Sequence, residues 1–299
     1  MLAVLLGALA SYSIATSSTV PSVTEASAHI AAHANAPIPF KRRPESLGVR
    51  TSAPSVFVVD LASGTVLYQK DPHRVMPIAS LTKLVTAMVW LDMHPDMQKT
   101  VTYQANDFDN EGEDYFAPGD TITNQQLLQS MLIGSVNASA NLMARSTIGK
   151  DAFVAAMNAK VKALNLKTPT FVEPSGVNPA NQSSAADVAA LLSTALGYPE
   201  VSQTTSMSKI DVQPLNGKKV VHISSTNLLL KTYLNQKPFE IIAAKTGSLP
   251  EAGYCMAQVT SNAEGHRIVA VELGSNNHFS RYQDIKALTT WAFNTYDWK

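Results

Sequence analysis

The chain has 299 residues, 45% hydrophobic and 15% charged, and its 23 basic and 23 acidic side chains cancel to zero net charge. That composition supplies a core and excludes a disordered polymer, while the zero balance lacks the strong basic field that nucleic-acid binding uses. A single cysteine, Cys255, excludes an internal disulfide framework and a thiolate-rich zinc site. The seven histidines form no HExxH pair, so no metal and no other cofactor is expected.

In chain order, the apolar run Leu2–Ala10 extends weakly to Ala15, too short to span a bilayer but suited to the core of an export signal. Small-residue cleavage sites offer themselves at Ala8-Leu9-Ala10 and Ala26-Ser27-Ala28, although no basic residue precedes the run and the first is Lys41. Residues 1–28 are read as the signal, and any membrane association is assigned to this segment alone. Residues 29–54, rich in Ser, Thr, Ala and Pro without an apolar period, predict a disordered linker. One folded unit is expected over 55–299.

Ser55–Leu61 and Thr65–Gln69, around Gly64, predict a β-hairpin. Ala79–Leu91 is apolar on every side and reads as a helix buried inside a domain. Thr123-Asn-Gln-Gln126 is a capping box that opens a second helix, and Asp151 opens a third through Leu164. The segments 241–246, 254–260 and 267–273 predict an antiparallel meander, followed by an amphipathic helix with Ile285, Leu288 and Ala292 in register. The expected fold is therefore α+β: one antiparallel sheet built from N- and C-terminal strands, flanked by helices, with an all-helical subdomain inserted between them. A cleft where the two parts meet is the natural place for chemistry.

Three short motifs carry that chemistry. In Ser80-Leu-Thr-Lys83 the i, i+3 spacing puts a hydroxyl and an amine on one helix face, and the amine must be neutral to accept a proton. Helix capping is the alternative for Ser80, but a charged Lys83 among Leu81, Leu84, Val85, Ala87 and Met88 would be costly to bury. Ser135-Val-Asn137 presents a hydroxyl and a carboxamide from an interhelical turn, where a capping turn is the plain reading. Lys245-Thr-Gly247 closes an apolar strand, and Gly247 would let a ligand backbone approach closely. Each motif alone is weak. In this order, SxxK, SxN and KTG form the set found in penicillin-binding proteins and class A β-lactamases.

The sequence resembles the low-molecular-mass penicillin-binding proteins, the serine D-alanyl-D-alanine carboxypeptidases and endopeptidases of the penicilloyl-serine transferase superfamily. Beyond the three motifs, the likeness covers Pro77–Met88, Leu132–Asn141, Met157-Asn158, Phe171-Val-Glu-Pro-Ser-Gly-Val177 and Lys245-Thr-Gly-Ser248. It implies a β-lactamase/transpeptidase-like catalytic domain over 55–299 that acts on peptidoglycan stem peptides ending in D-Ala-D-Ala. Such an enzyme works outside the cytoplasmic membrane, in the periplasm or on its extracellular face, and takes β-lactam antibiotics as covalent inhibitors. The resemblance further implies Ser80 as nucleophile, Lys83 as its base and Ser135 as proton relay to the leaving amine. Asn137 would hold the substrate amide, Lys245 with Thr246 and Ser248 would bind the terminal carboxylate, and Gly247 counts among the substrate-binding residues. The N–H groups of Ser80 and Ser248 would form the oxyanion hole, and Lys245 near Lys83 would favour a neutral base.

Carboxypeptidase is taken as the activity, with endopeptidase cleavage of D-Ala crosslinks as the alternative, because both use one acyl chemistry. A β-lactamase is less favoured, since no glutamate followed closely by Leu-Asn appears and Glu173 lies instead in Phe171-Val-Glu-Pro174. An inactive cell-wall-binding module is disfavoured by the complete motif set, and a Ser-His-Asp hydrolase by the lack of GxSxG around Ser135. The acidic stretch 107–114 reads as a solvated loop, Cys255 as a small core residue, and His222 and His278 as residues without a nameable partner.

Overall fold

A computed structural model describes residues 36–299 apart from 43, 110, 113, 114 and 218, so the expected signal segment lies outside the described residues. The short strand β1 (Pro39–Lys41) precedes the hairpin of β2 (Ser55–Asp60) and β3 (Val66–Lys70). Strand β4 (Met76–Pro77), a 3-10 turn (Ala79–Thr82) and helix α1 (Lys83–Asp92) follow. The hairpin of β5 (Thr100–Thr102) and β6 (Thr121–Thr123) leads into α2 (Asn124–Ile133), α3 (Asn137–Ser146) and α4 (Lys150–Ala163). Next come β7 (Gln182–Ser183), α5 (Ala185–Ala195), α6 (Pro199–Thr205) and the hairpin of β8 (Lys209–Val212) and β9 (Val221–Ser224). The chain returns through β10 (Glu240–Leu249), β11 (Gly253–Ser261) and β12 (Arg267–Ser275), then α7 (Ser280–Thr295) and β13 (Tyr296–Trp298).

The main sheet runs β10-β11-β12-β2-β3 and every neighbouring pair is antiparallel. Its N- and C-terminal parts join at β12 and β2, in register from Ile268 opposite Asp60 to Leu273 opposite Ser55. This is the arrangement that the strand–helix–strand order of the sequence predicts. The two-residue period of the strands divides the core. Val269, Val271 and Leu273 pack with the helical part, while Ile268 and Ala270 pack with Ile285, Leu288 and Ala292 of α7. Helix α1 is buried from Lys83 to Leu91, which is why its sequence has no polar face. The predicted capping box opens α2: Thr123 accepts from the Gln126 N–H at 3.2 Å, and Gln126 accepts from the Thr123 N–H at 3.0 Å.

The structure differs from the sequence reading over 36–54. Strand β1 pairs with β13, Ala53 is fully buried, and Ser52 donates to Asp284 through both its N–H and its hydroxyl, at 2.6 and 2.7 Å. Lys70 donates to the Ala53 carbonyl at 2.7 Å, and the Trp291 indole to Ser46 at 2.7 Å. The segment expected as disordered linker is thus, from residue 36 onward, largely tied to the folded unit. Its anchors are backbone groups and single polar contacts, which leave no periodic apolar signature.

Candidate active site

The serine-bearing segment is not a regular helix start. Ala79 lies at φ +48°, a conformation that costs a non-glycine residue energy, and the next three residues complete a tight 3-10 turn before α1 begins at Lys83. Two backbones hold this turn in place. Gly247 of β10 approaches so closely that a Cβ there would lie 2.9 Å from the Ile78 carbonyl oxygen and 3.1 Å from the Ser80 nitrogen. Gly176, at φ +90°, approaches from the other side, where a Cβ would lie 2.1 Å from the Ala79 oxygen and 2.9 Å from the Ser80 nitrogen. Only glycine fits either position without displacing the turn.

Lys83 rises from the first turn of α1 and is fully buried. Its Nζ donates to Ser80 Oγ at 2.9 Å, to Asn137 Oδ1 at 2.7 Å and to the Ser175 carbonyl at 2.5 Å, which uses all three ammonium hydrogens. Burial lowers its pKa from 10.5 to about 8, against the upward pull of Glu173 and Asp109. Opposite it, Lys245 sits on β10, the edge strand of the sheet, with its side chain toward the helical part. Its Nζ donates to Ser135 Oγ at 2.7 Å and to its neighbour's carbonyl, Thr246 O, at 2.9 Å. Burial pushes the Lys245 ammonium well below its ordinary value, and the positive charges of Lys83 and Arg281 push the same way.

Ser135 occupies the turn between α2 and α3 at φ +60°. This left-handed conformation ties the α2–α3 junction to Lys245 through the Ser135 hydroxyl. Asn137 is engaged at both ends of its carboxamide, accepting from Lys83 and donating through Nδ2 to the Glu111 carbonyl at 2.9 Å. The group expected to hold the substrate amide therefore also holds the lysine and the Glu111 carbonyl. Ser80, Ser135, Asn137 and Ser248 together line one cleft of about 250 Å³, rimmed by Glu111, Gly112, Val177 and Leu249. Thr246 lies in the same strand, its hydroxyl donating to Thr226 Oγ1 at 2.7 Å.

Several contributors escaped the sequence reading. Asp107 is buried and accepts from Arg145 Nε and Nη2 at 2.7 and 2.8 Å, and Glu111 and Gly112 line the cleft, where a solvated loop was expected. Arg281 of α7 is buried beneath β10 and donates to the Gly247 carbonyl at 2.9 Å. Its Nη2 also lies 3.2 Å from His278 Nδ1, which gives that histidine its partner; exposed His222 finds Asp211 at 2.7 Å. Cys255 is fully buried, its thiol pushed up to about 12 by burial, as a core residue should be. A two-residue polar contact or a backbone carbonyl has no sequence motif, although Glu173 and Pro174 do mark the segment that supplies the Ser175 carbonyl. Among the described residues no cluster of metal-ligating side chains occurs, and no helix is long and apolar enough to cross a membrane.

Comparison with known proteins gives a consistent answer. The family model of peptidase family S11, D-alanyl-D-alanine carboxypeptidase, matches residues 41–277. The chain is 34% identical over 243 residues to a D-alanyl-D-alanine endopeptidase of Pseudomonas aeruginosa, covering 79% of this chain and 76% of that protein. It is 31% identical over 242 residues to the Escherichia coli D-alanyl-D-alanine endopeptidase, with the same coverage of each, 79% and 76%. Against the D-alanyl-D-alanine carboxypeptidase DacF of Bacillus subtilis it is 27% identical over 264 residues, 84% of this chain and 66% of that one. Among solved structures, the Streptomyces K15 DD-transpeptidase superposes with a TM-score of 0.76 at 23% identity, covering 83% of this chain and 100% of that one, which bears on the fold alone. Penicillin-binding protein D2 from Listeria monocytogenes, in its cefotaxime-bound form, superposes with a TM-score of 0.73 at 26% identity, covering 83% and 100%. With its fold, its motif order and its relatives in agreement, the chain belongs to peptidase family S11, the serine-type D-alanyl-D-alanine peptidases.

Proposed function

We propose that this enzyme cleaves the D-Ala-D-Ala peptides of peptidoglycan through an acyl-enzyme on Ser80. The observation that carries the reading is the contact of a fully buried lysine with the hydroxyl of a cleft-lining serine, Lys83 Nζ to Ser80 Oγ at 2.9 Å. Lys83 in its neutral form takes the Ser80 proton as Oγ attacks the carbonyl of the penultimate D-alanine. The oxyanion meets the N–H groups of Ser80 and Ser248, preorganised donors whose individual loss costs on the order of 10²–10³ in rate. Ser135 gives its hydroxyl proton to the leaving amine and regains one from protonated Lys83, and because its oxygen accepts from Lys245 Nζ its own O–H is free to act as the donor. Lys245, Thr246 and Ser248 bind the substrate's terminal carboxylate, the substrate backbone lies along edge strand β10, and Asn137 orients both Lys83 and the substrate amide. Water then attacks the ester and frees Ser80.

Penicillins mimic the acyl donor, so intact-protein mass spectrometry should find a stable penicilloyl adduct on Ser80. No adduct, or an adduct retained in Ser80→Ala, overturns the reading, and rapid multiple turnover of a cephalosporin would make the enzyme a β-lactamase. The relatives at 34% and 31% identity are both named endopeptidases, which favours crosslink cleavage as a second reading beside carboxypeptidase. Purified muropeptides decide between them: release of D-alanine from pentapeptide monomers marks the carboxypeptidase, conversion of crosslinked dimers to monomers the endopeptidase. Residues 1–28 are proposed as an export signal that delivers the enzyme to the periplasm or the extracellular face of the membrane.

A further inference from the structure

We infer that Glu173 is a positioning residue for the acylation machinery, acting through the 173–178 loop on Lys83 and Ser80. This inference rests on the reading of Ser80 as nucleophile and Lys83 as base. Glu173 is 9% exposed, and its carboxylate is the hub of the loop. One oxygen, Oε2, accepts from the Ser175 N–H and the Ser175 hydroxyl, both at 2.6 Å. The other, Oε1, accepts from the Gly176 N–H at 2.6 Å, from Asn181 Nδ2 at 2.8 Å and from the Asn178 N–H at 3.4 Å. Asn181 Nδ2 in turn reaches Thr82 Oγ1 at 3.2 Å, inside the serine-bearing turn.

The loop so folded delivers three backbone groups to the site. The Ser175 carbonyl takes a hydrogen bond from Lys83 Nζ at 2.5 Å, and the Pro174 carbonyl takes one from Thr86 Oγ1, one turn further along α1, at 2.6 Å. Gly176 lies against Ala79 and the Ser80 nitrogen, so it fixes the height of the N–H assigned to the oxyanion hole. Five donors converging on two oxygens call for a carboxylate: a carboxamide would turn an NH2 group toward groups that are themselves donors. The negative charge also faces Lys83 and opposes the effect of burial on it. Asp109 pulls the same way as Glu173, while across the site Lys83 and Arg281 of α7 both act to lower the pKa of Lys245.

The test is Glu173→Gln and Glu173→Asp, read as the second-order rate constant for acylation by a fluorescent penicillin from pH 6 to 10, with thermal melting alongside. On the alkaline plateau Glu173→Gln should lose activity on the order of 10²-fold, the cost of displacing a catalytic group by about 1 Å. Its acidic limb should move to lower pH, because loss of the negative charge favours neutral Lys83. Glu173→Asp keeps the charge but cannot reach both halves of the loop, so it should be about tenfold slower with its limb unmoved. A folded Glu173→Gln with wild-type rate, or with a slower rate and an unmoved limb, overturns the inference. Should Glu173→Gln not fold, Glu173→Asp decides, and a wild-type rate in that variant overturns it. Wild-type protein that takes no label at all sinks the nucleophile assignment instead, so the two failures are distinct.

Discussion

With Lys83 as the proposed base, the pH dependence of acylation follows from its burial. Only the neutral amine can take the Ser80 proton, and the amine's pKa is lowered from 10.5 to about 8. At pH 7 a lysine of pKa 8 is about one-tenth neutral, whereas one of pKa 10.5 is neutral in about one molecule in 3,000, so burial makes roughly 300-fold more base available. The second-order acylation rate, measured by stopped-flow with a fluorescent penicillin, should rise about ninefold from pH 6 to 7, about fivefold from 7 to 8, and level off above 9. A rate flat from pH 6 to 8.5, or a limb centred near 10, would refute Lys83 as the base with this environment. The same shift acts on stability, with its sign fixed by linkage. The folded pKa is depressed, so between about 8 and 10.5 the unfolded chain holds a proton that the folded one has released, and stability rises with pH across that window. Below pH 8 the full penalty of about 3 kcal/mol applies. Relative to Lys83→Met, the wild type should therefore gain about 2 kcal/mol between pH 7 and 9.5 in urea unfolding.

Other perturbations test the scaffold around the cleft. Gly176→Ala places a Cβ 2.1 Å from the Ala79 oxygen at φ +90°, so it should cost about 2 kcal/mol or more and lower Tm by about 4–8 °C in calorimetry, with slower labelling of Ser80. An unchanged Tm would mean that the 176–177 backbone moves freely away from the turn. Arg145→Ala leaves Asp107 buried without its cation and should cost about 3–5 kcal/mol in denaturant unfolding. Arg145→Lys, with one donor point in place of a fork, should recover only part of that. Arg281→Met removes the donor to the Gly247 carbonyl and should slow acylation about tenfold or more, the worth of one charge-assisted hydrogen bond, as read by the rate of penicillin labelling.

The parts of the fold that declared themselves in the sequence are those with a repeating physical cause. The nearly continuous burial along β10 to β12, the all-apolar surface of α1 and the Thr123–Gln126 capping box each leave a pattern several residues long. Strands β1 and β13 left none: Pro39–Lys41 and Tyr296–Trp298 are three residues each and pair with partners at the far end of the chain. The motif serines and lysines were legible because their types and order are restrictive, yet their local geometry was not. Nothing in Ser135-Val-Asn137 announces φ +60° at the serine, and nothing in Asp107–Glu111 announces that a backbone carbonyl there will hold Asn137.

The same division explains why Glu173 was set aside in the sequence and is central in the structure. A glutamate sought as a water-activating base has to face the cleft, and Glu173 instead turns its two oxygens into its own loop. Its effect reaches the chemistry only through carbonyl and N–H groups that every residue carries. The site thus consists of two layers with different legibility. Ser80, Lys83, Ser135, Asn137 and Lys245 must be particular side chains. The backbones of Ala79, Ser175, Gly176 and Gly247 must be in particular places, and the residues that put them there, Glu173 and Arg281, lie 93 and 201 positions along the chain from Ser80. Burying two lysines beside one cleft disfavours the folded state, and it is tolerable because the two layers together satisfy their hydrogens: the Ser80 and Asn137 side chains with the Ser175 carbonyl for Lys83, and the Ser135 hydroxyl with the Thr246 carbonyl for Lys245. The activity and the stability of this enzyme are therefore coupled through the same few carbonyls, and substitutions in the 173–178 loop should move both together.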